Sequence, residues 1–210
     1  MAVGAVRSVG LLGGTFDPVH RVHIELAEAA LESLALDHVE LLPAARPWQR
    51  GDLGAAPEQR LEMLQIACEG HTGLRVNPIE IQRAGATYTV ETLRALPSGL
   101  HYTWIMGTDQ LANFCTWHRW REIIQLVRLA VALRPGTSLT PPEPLASALA
   151  AGALIHIPFD AQPVSATLIR NELASGRTAD DMLDPRVLDY IRRHYLYTYR
   201  TPPLGATSHT

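Results

Sequence analysis

The sequence predicts an α/β fold: a doubly wound parallel sheet with a small C-terminal helical portion. Short apolar runs that end at Gly or Pro alternate with segments of helical periodicity. The first three elements read strand, helix, strand, an order that calls for parallel strands joined by right-handed crossovers. At 210 residues the chain suits one such domain around one large core. Residues 1–197 are read as that domain and 198–210 as a disordered tail.

Val9 to Leu12 is a buried strand entering a turn at Gly13-Gly14. Residues 21–35 carry Ile24, Ala27, Leu31 and Leu34 at helical spacing. Val39 to Leu42 is the second strand, stopped by Pro43. A helix over 57–69 opens with Pro57, whose missing N–H is no loss in a first turn. Leu74 to Val76 is a strand, Tyr88 to Leu96 a helix that stops before Pro97, and Tyr102 to Met106 a strand ending at Gly107. Leu126 to Leu133 is the next strand, and Arg134 to Pro144, rich in Pro, Gly, Ser and Thr, a surface loop. Leu145 to Ala151 is a small helix stopped by Gly152, and Leu154 to Ile157 the last strand. Helices close the domain at about 166–175 and 185–195. A sheet of this Rossmann-like kind takes ligands beyond the carboxyl ends of its strands. Function is therefore sought near residues 13–23, 43–50, 107–118 and 163–170.

The bulk properties narrow the function further. Net charge is −3 and no stretch is dense in Lys or Arg, which excludes a protein that coats a nucleic-acid backbone. No segment approaches the ~20 apolar residues of a membrane span, and the N-terminus lacks a basic-then-apolar signal. Cys68 and Cys115 are too few for a disulfide framework and too far apart for a CxxC site. The cytoplasm is the expected compartment; a homo-oligomer is left open.

The string Gly13-Gly14-Thr15-Phe16-Asp17-Pro18-Val19-His20-Arg21-Val22-His23 sits at the first strand end. Its glycines let the backbone pass close to a ligand, and Pro18 tightens the turn at Asp17. The following helix start offers free N–H groups and a dipole that favours anions. His20 and His23, three apart, share one face of its first turn and can donate to phosphate oxygens. Alone, such a pair is more often a cap or a packing feature than a site. The spacing is not that of a zinc site.

Near the other end, Val164-Ser165-Ala166-Thr167-Leu168-Ile169-Arg170 opens a helix, with Ser165 as N-cap and Gly176 just past its end. Ser165, Thr167 and Arg170 on its first turns make a phosphate cradle, the guanidinium adding a bidentate contact. For the heptamer taken alone, an ordinary capped helix with a solvent-facing Arg is the better account. Between the two lie Gly85-Ala86-Thr87-Tyr88-Thr89-Val90-Glu91-Thr92-Leu93, Gly107-Thr108-Asp109-Gln110-Leu111 and Phe114-Cys115-Thr116-Trp117-His118-Arg119-Trp120. Asp109, after Gly107, either accepts from ribose hydroxyls or caps the next helix. Trp117 can stack on an aromatic ring; Trp104 and Trp120 are read as packing.

Together these segments resemble the nucleotidyltransferase superfamily, whose signatures read GGTFDPxHxGH and (I/V)S(S/A)TxIR. Across about residues 8–197 the chain is similar to bacterial nicotinate-nucleotide adenylyltransferases. The resemblance implies adenylyl transfer from ATP to nicotinate mononucleotide, with both as partners and Mg²⁺ carried mainly on the ATP phosphates. It implies that His20, His23 and Arg170 are the catalytic groups, contacting the phosphates. ATP would lie on Gly13, Gly14, Thr15, Phe16, Gly107, Asp109, Ser165 and Thr167. The pyridine nucleotide would meet Thr87, Tyr88, Trp117, His118 and Arg46, with backbone N–H groups of the 87–88 and 117–118 turns on its carboxylate. No residue is assigned to a metal site; Asp17 could touch the Mg²⁺, but is read first as shaping its turn.

Two departures from the family pattern stand out. Val22 occupies the place of a Gly beside the triphosphate, and a β-branched side chain there is expected to crowd it. In Arg46-Pro47-Trp48-Gln49-Arg50, relatives carry a PP(H/K)-like segment, and Arg46 or Arg50 would supply the charge. The alternatives are a transferase using the amide mononucleotide or phosphopantetheine, and a nucleotide-binding scaffold weakened by Val22.

Overall fold

The computed structural model describes residues 7–46, 53–83, 87–133, 138–160 and 162–198. Several sequence expectations lie outside them: Trp48 and Arg50, Gly85-Ala86, the 134–137 part of the surface loop, and the tail from 199 onward.

Six strands form one parallel sheet: β1 (Ser8–Gly14), β2 (His38–Pro43), β3 (Leu74–Val76), β4 (His101–Gly107), β5 (Arg128–Leu133) and β6 (Leu154–Pro158). Their order is β3-β2-β1-β4-β5-β6. The chain reverses its winding between β1 and β4, so a crevice opens where those two strands end. The described helices are α1 (Arg21–Ser33), α2 (Pro57–Cys68), α3 (Ile79–Gln82), α4 (Thr89–Ala95), α5 (Thr108–Ala112), α6 (Trp120–Leu126), α7 (Glu143–Ala146), α8 (Ala166–Ala174) and α9 (Pro185–Arg193). None of them is long and apolar enough to cross a membrane.

Each central strand buries both faces, which is why its sequence reads as a continuous apolar run. On β1, Leu12 packs with α1, α2, α8 and α9 residues, while Val9 and Leu11 pack on the opposite side with residues of α4, α5 and α6. Ile105 of β4 joins the first layer, and Trp104 and Met106 the second. Each fully buried Leu or Ile contributes roughly 1.5–3 kcal/mol relative to leaving it in water.

The differences from the sequence reading are local. α6 occupies Trp120–Leu126, and the strand expected from Leu126 begins at Arg128. A seven-residue helix is too short to show a period, so its Ile-Ile and Leu merged with the apolar run beyond. The one-turn α3 after Pro78 was invisible for the same reason. α7 begins at Glu143, behind Pro142, rather than at Leu145.

Candidate active site

A cavity of about 940 Å³ opens at the switch point, over the carboxyl ends of β1, β4 and β5. The expected residues Gly13, Gly14, Thr15, His20, His23, Thr87, Gly107, Asp109 and Trp117 line it. Val22, Glu80, Thr89, Trp104 and Val164 line it as well, and sequence reasoning assigned none of these a binding role.

The loop between β1 and α1 turns sharply. Phe16 adopts φ 48° and is buried, and the Asp17–Pro18 bond is cis. Gly13 is required for packing: a Cβ there would come within 2.7 Å of the Trp104 indole. This glycine therefore serves close approach of a side chain, where the sequence suggested close approach of a ligand.

His20 and His23 stack, with ring centroids 3.7 Å apart. The His20 backbone N–H donates to His23 Nδ1 at 3.2 Å, so neutral His23 carries its proton on Nε2. Phe16 meets the His23 ring edge-on at 4.9 Å. Burial lowers the His20 pKa to about 4, and its Nδ1 is buried with no hydrogen-bond partner. His20 is thus neutral near pH 7 and offers polarity without charge. The first amide of α1 is already taken, because Arg21 N–H donates to the Met182 carbonyl.

α8 begins beside this loop. Ser165 caps it, its Oγ accepting from Leu168 N–H at 3.2 Å. Arg170 Nη1 donates to the Asp17 carbonyl at 2.7 Å, and Nη2 to Thr167 Oγ1 at 3.3 Å. The two signature segments therefore meet, although 153 positions separate the bonded residues. Of α8 and its lead-in, Val164 lines the cavity; the expected Ser165, Thr167 and Arg170 are not part of its lining, Arg170 being turned to the Asp17 carbonyl and Thr167.

On the far side, Thr87 N–H donates to the Arg46 carbonyl and Arg46 N–H to Thr87 Oγ1, both at 3.3 Å. This reciprocal clip ties the segment after β2 to the turn before α4. Trp117 N–H is likewise committed, to the Phe114 carbonyl. Of the turn amides expected to meet a carboxylate, those two are engaged within the protein. The Thr87 hydroxyl, an acceptor to Arg46, keeps its own proton to donate. The expected Tyr88 and His118 do not line the cavity; their rings meet at a tilt, centroids 4.6 Å apart, and Arg46 is exposed outside it. Asp109 is the second residue of α5, whose cap is Gly107, so the capping alternative for Asp109 falls.

Glu80 is the buried carboxylate of the lining. It accepts from the Thr92 hydroxyl at 2.8 Å, and burial pushes its pKa up. Asp17, 1% exposed, is expected to shape its own turn; its carboxylate instead accepts from Gly54, Ala55 and Tyr197, far along the chain. No three His, Cys, Asp or Glu side chains converge on a common point among the described residues.

A parallel sheet of this order, with hydroxyls, imidazoles and a helix start around its switch-point crevice, defines a nucleotide-binding α/β protein. The chain belongs to the cytidylyltransferase-like family, whose model matches residues 11–172, and within it to the nicotinate-nucleotide adenylyltransferases. It is 53% identical over 194 residues to a Bordetella pertussis protein named "probable nicotinate-nucleotide adenylyltransferase", covering 91% of this chain and 98% of that one. An equally named protein of Chromobacterium violaceum is 39% identical over 207 residues, covering 90% and 98%. The solved Plasmodium falciparum nicotinic acid mononucleotide adenylyltransferase, complexed with NaAD, shares the fold with a TM-score of 0.72 at 16% identity, over 91% of this chain and 97% of that one.

Proposed function

We propose that this chain transfers an adenylyl group from ATP to nicotinate mononucleotide, forming nicotinate adenine dinucleotide and pyrophosphate in NAD biosynthesis. The observation that carries the reading is the 2.7 Å bond from Arg170 to the Asp17 carbonyl, which ties the start of α8 to the loop whose Gly13, Gly14, Thr15, His20 and His23 line the cavity.

An oxygen of the mononucleotide 5′-phosphate attacks the α-phosphorus of ATP; a P–O bond forms and the α–β bridge breaks. The attacking oxygen is already ionised at neutral pH, so the protein supplies position and charge stabilisation rather than a nucleophile. His20 and His23 would donate to the α- and neighbouring phosphates, and Gly13, Gly14, Thr15 and Phe16 would shape the loop beneath them. Arg170, Ser165 and Thr167 would hold the departing pyrophosphate, Arg170 by turning from Asp17. Asp109, beside Gly107, would accept from the ribose. Trp117 offers its face to the pyridine, while the Thr87 hydroxyl donates to the carboxylate that distinguishes acid from amide. Tyr88, His118 and Arg46 would buttress that end.

The described lining is a donor set suited to phosphate and not a cation cage, so Mg²⁺ fits as an ion carried on ATP oxygens, where it neutralises charge. The cytoplasm suits both free cysteines. A pyrophosphate-release assay with ATP, Mg²⁺ and either mononucleotide tests the proposal. Faster turnover of the amide would shift the assignment to the related adenylyltransferase. ATP binding without pyrophosphate would favour the scaffold reading, which Val22 in the lining supports.

A further inference from the structure

Behind the β1–α1 loop lies a buried polar node that none of the motifs above contains in full. Asp17 Oδ1 accepts from Ala55 N–H at 3.0 Å and from the Tyr197 hydroxyl at 2.7 Å; Oδ2 accepts from Gly54 N–H at 2.8 Å. The Arg170 guanidinium stands 3.8 Å from Oδ2 while bonding the Asp17 carbonyl. Fully buried Arg60 donates to the carbonyls of Thr15 at 2.6 Å, Ala45 at 3.1 Å and Ala55 at 3.3 Å. Thr15 and Asp17 are thus held from behind while Gly13 to Thr15 and His20 face the cavity.

We propose that Tyr197 is a positioning residue for adenylyl transfer: through Asp17 it holds the 13–20 loop in the shape that grips the triphosphate. The inference rests on the reading under Proposed function. Tyr197 lies 180 residues from its partner, past the end of α9. Its hydroxyl is not needed to anchor α9, because Val187, Leu188, Tyr190 and Ile191 already bury that helix in the core. The ring also has a dedicated seat. A Cβ on Gly54 would come within 2.6 Å of Tyr197 Cε1 and 3.3 Å of Arg170 Cδ, so only glycine there lets the ring lie against the 54–55 backbone. Burial and the Asp17 charge both raise the Tyr197 pKa, which keeps the hydroxyl a donor. A buried carboxylate that loses such a donor is left undersatisfied, and the loop it braces loosens.

Tyr197→Phe removes the donor and keeps the ring. The expected result is a urea midpoint modestly below that of the wild type, with kcat/KM for ATP about tenfold lower and the KM for nicotinate mononucleotide unchanged. Amide exchange of a peptide covering residues 13–20 should quicken while that of β5 does not. Gly54→Ala, which displaces the ring, should reproduce both effects, and the double variant should be no worse than the worse single one. Both changes are required. Unchanged loop exchange, exchange quickened throughout the protein, or quickened loop exchange with unaltered ATP kinetics each overturns the proposal. A wild-type protein without turnover would instead refute the functional reading, and the exchange measurement would still decide whether Tyr197 holds the loop.

Discussion

The imidazole of His23 lies on that of His20, centroids 3.7 Å apart, and its Nδ1 accepts the His20 backbone N–H. The second histidine thereby orients the first turn of α1 and fixes its own tautomer. The two rings act as one unit at the cavity wall, one buried and neutral, the other with a defined donor.

That unit makes His20 readable in two ways. His20→Ala should lower kcat on the order of 10²-fold, the scale of losing one transition-state donor. His101→Ala, on the exposed start of β4, should leave kcat near wild type. Equal losses from both would discredit the assignment.

Acid stability gives the second measure of His20. The unfolded chain takes up this proton near pH 6.5, whereas the folded protein resists until about pH 4. Between those values the unfolded state binds more protons, so stability present above pH 6.5 is lost as pH falls, by up to roughly 3 kcal/mol. The denaturation midpoint should slope downward through this window, and His20→Gln should flatten the slope. A slope that persists in the variant would assign the effect to another group.

Val22 stands in the cavity wall on the first turn of α1. If it crowds the triphosphate, Val22→Gly should lower the KM for ATP several-fold, at up to about 1 kcal/mol of helix stability. Kinetics indistinguishable from wild type would show that the cavity accommodates the branched side chain.

Arg60 is fully buried and bonds three carbonyls. Arg60→Met should cost about 3–5 kcal/mol in urea denaturation, because it leaves three buried carbonyls without their charged donor. A loss below about 1 kcal/mol would mean that water or a rearranged donor replaces the guanidinium.

Glu80 should behave in the opposite sense. Burial raises its pKa, so losing the proton costs more in the folded protein than in the unfolded chain, and stability falls as pH rises. Glu80→Gln keeps an acceptor for Thr92 and removes that charge. Its midpoint should exceed wild type at pH 8, with the difference vanishing below about pH 4.5, where the acid is neutral in both states. A variant less stable at pH 8 would show that the Arg83 charge outweighs desolvation.

Much of this fold was legible in residue order, because buried parallel strands announce themselves as apolar runs and long helices as periodicity. α6 escaped: seven residues carry too few turns to be told from the strand after it. Of the candidate site, the sequence marked two contiguous segments: residues of Gly13 to His23 line the cavity, whereas from Val164 to Arg170 only Val164 does. Trp104 and Glu80 went unmarked, since a tryptophan in a strand and a glutamate in a four-residue helix carry no local mark of facing a cavity.

The sequence by itself determined the strand–helix alternation, the parallel sheet and the helix starts after His20 and Ser165, all properties written in neighbouring residues. Only the tertiary structure decided that Arg170 docks on the Asp17 carbonyl, that Trp104 fills the space above Gly13, and that Tyr197 braces the loop from the far end of the chain. These contacts join residues up to 180 positions apart, and which side chains meet across such distances is set by how the layers pack, a quantity no local pattern contains.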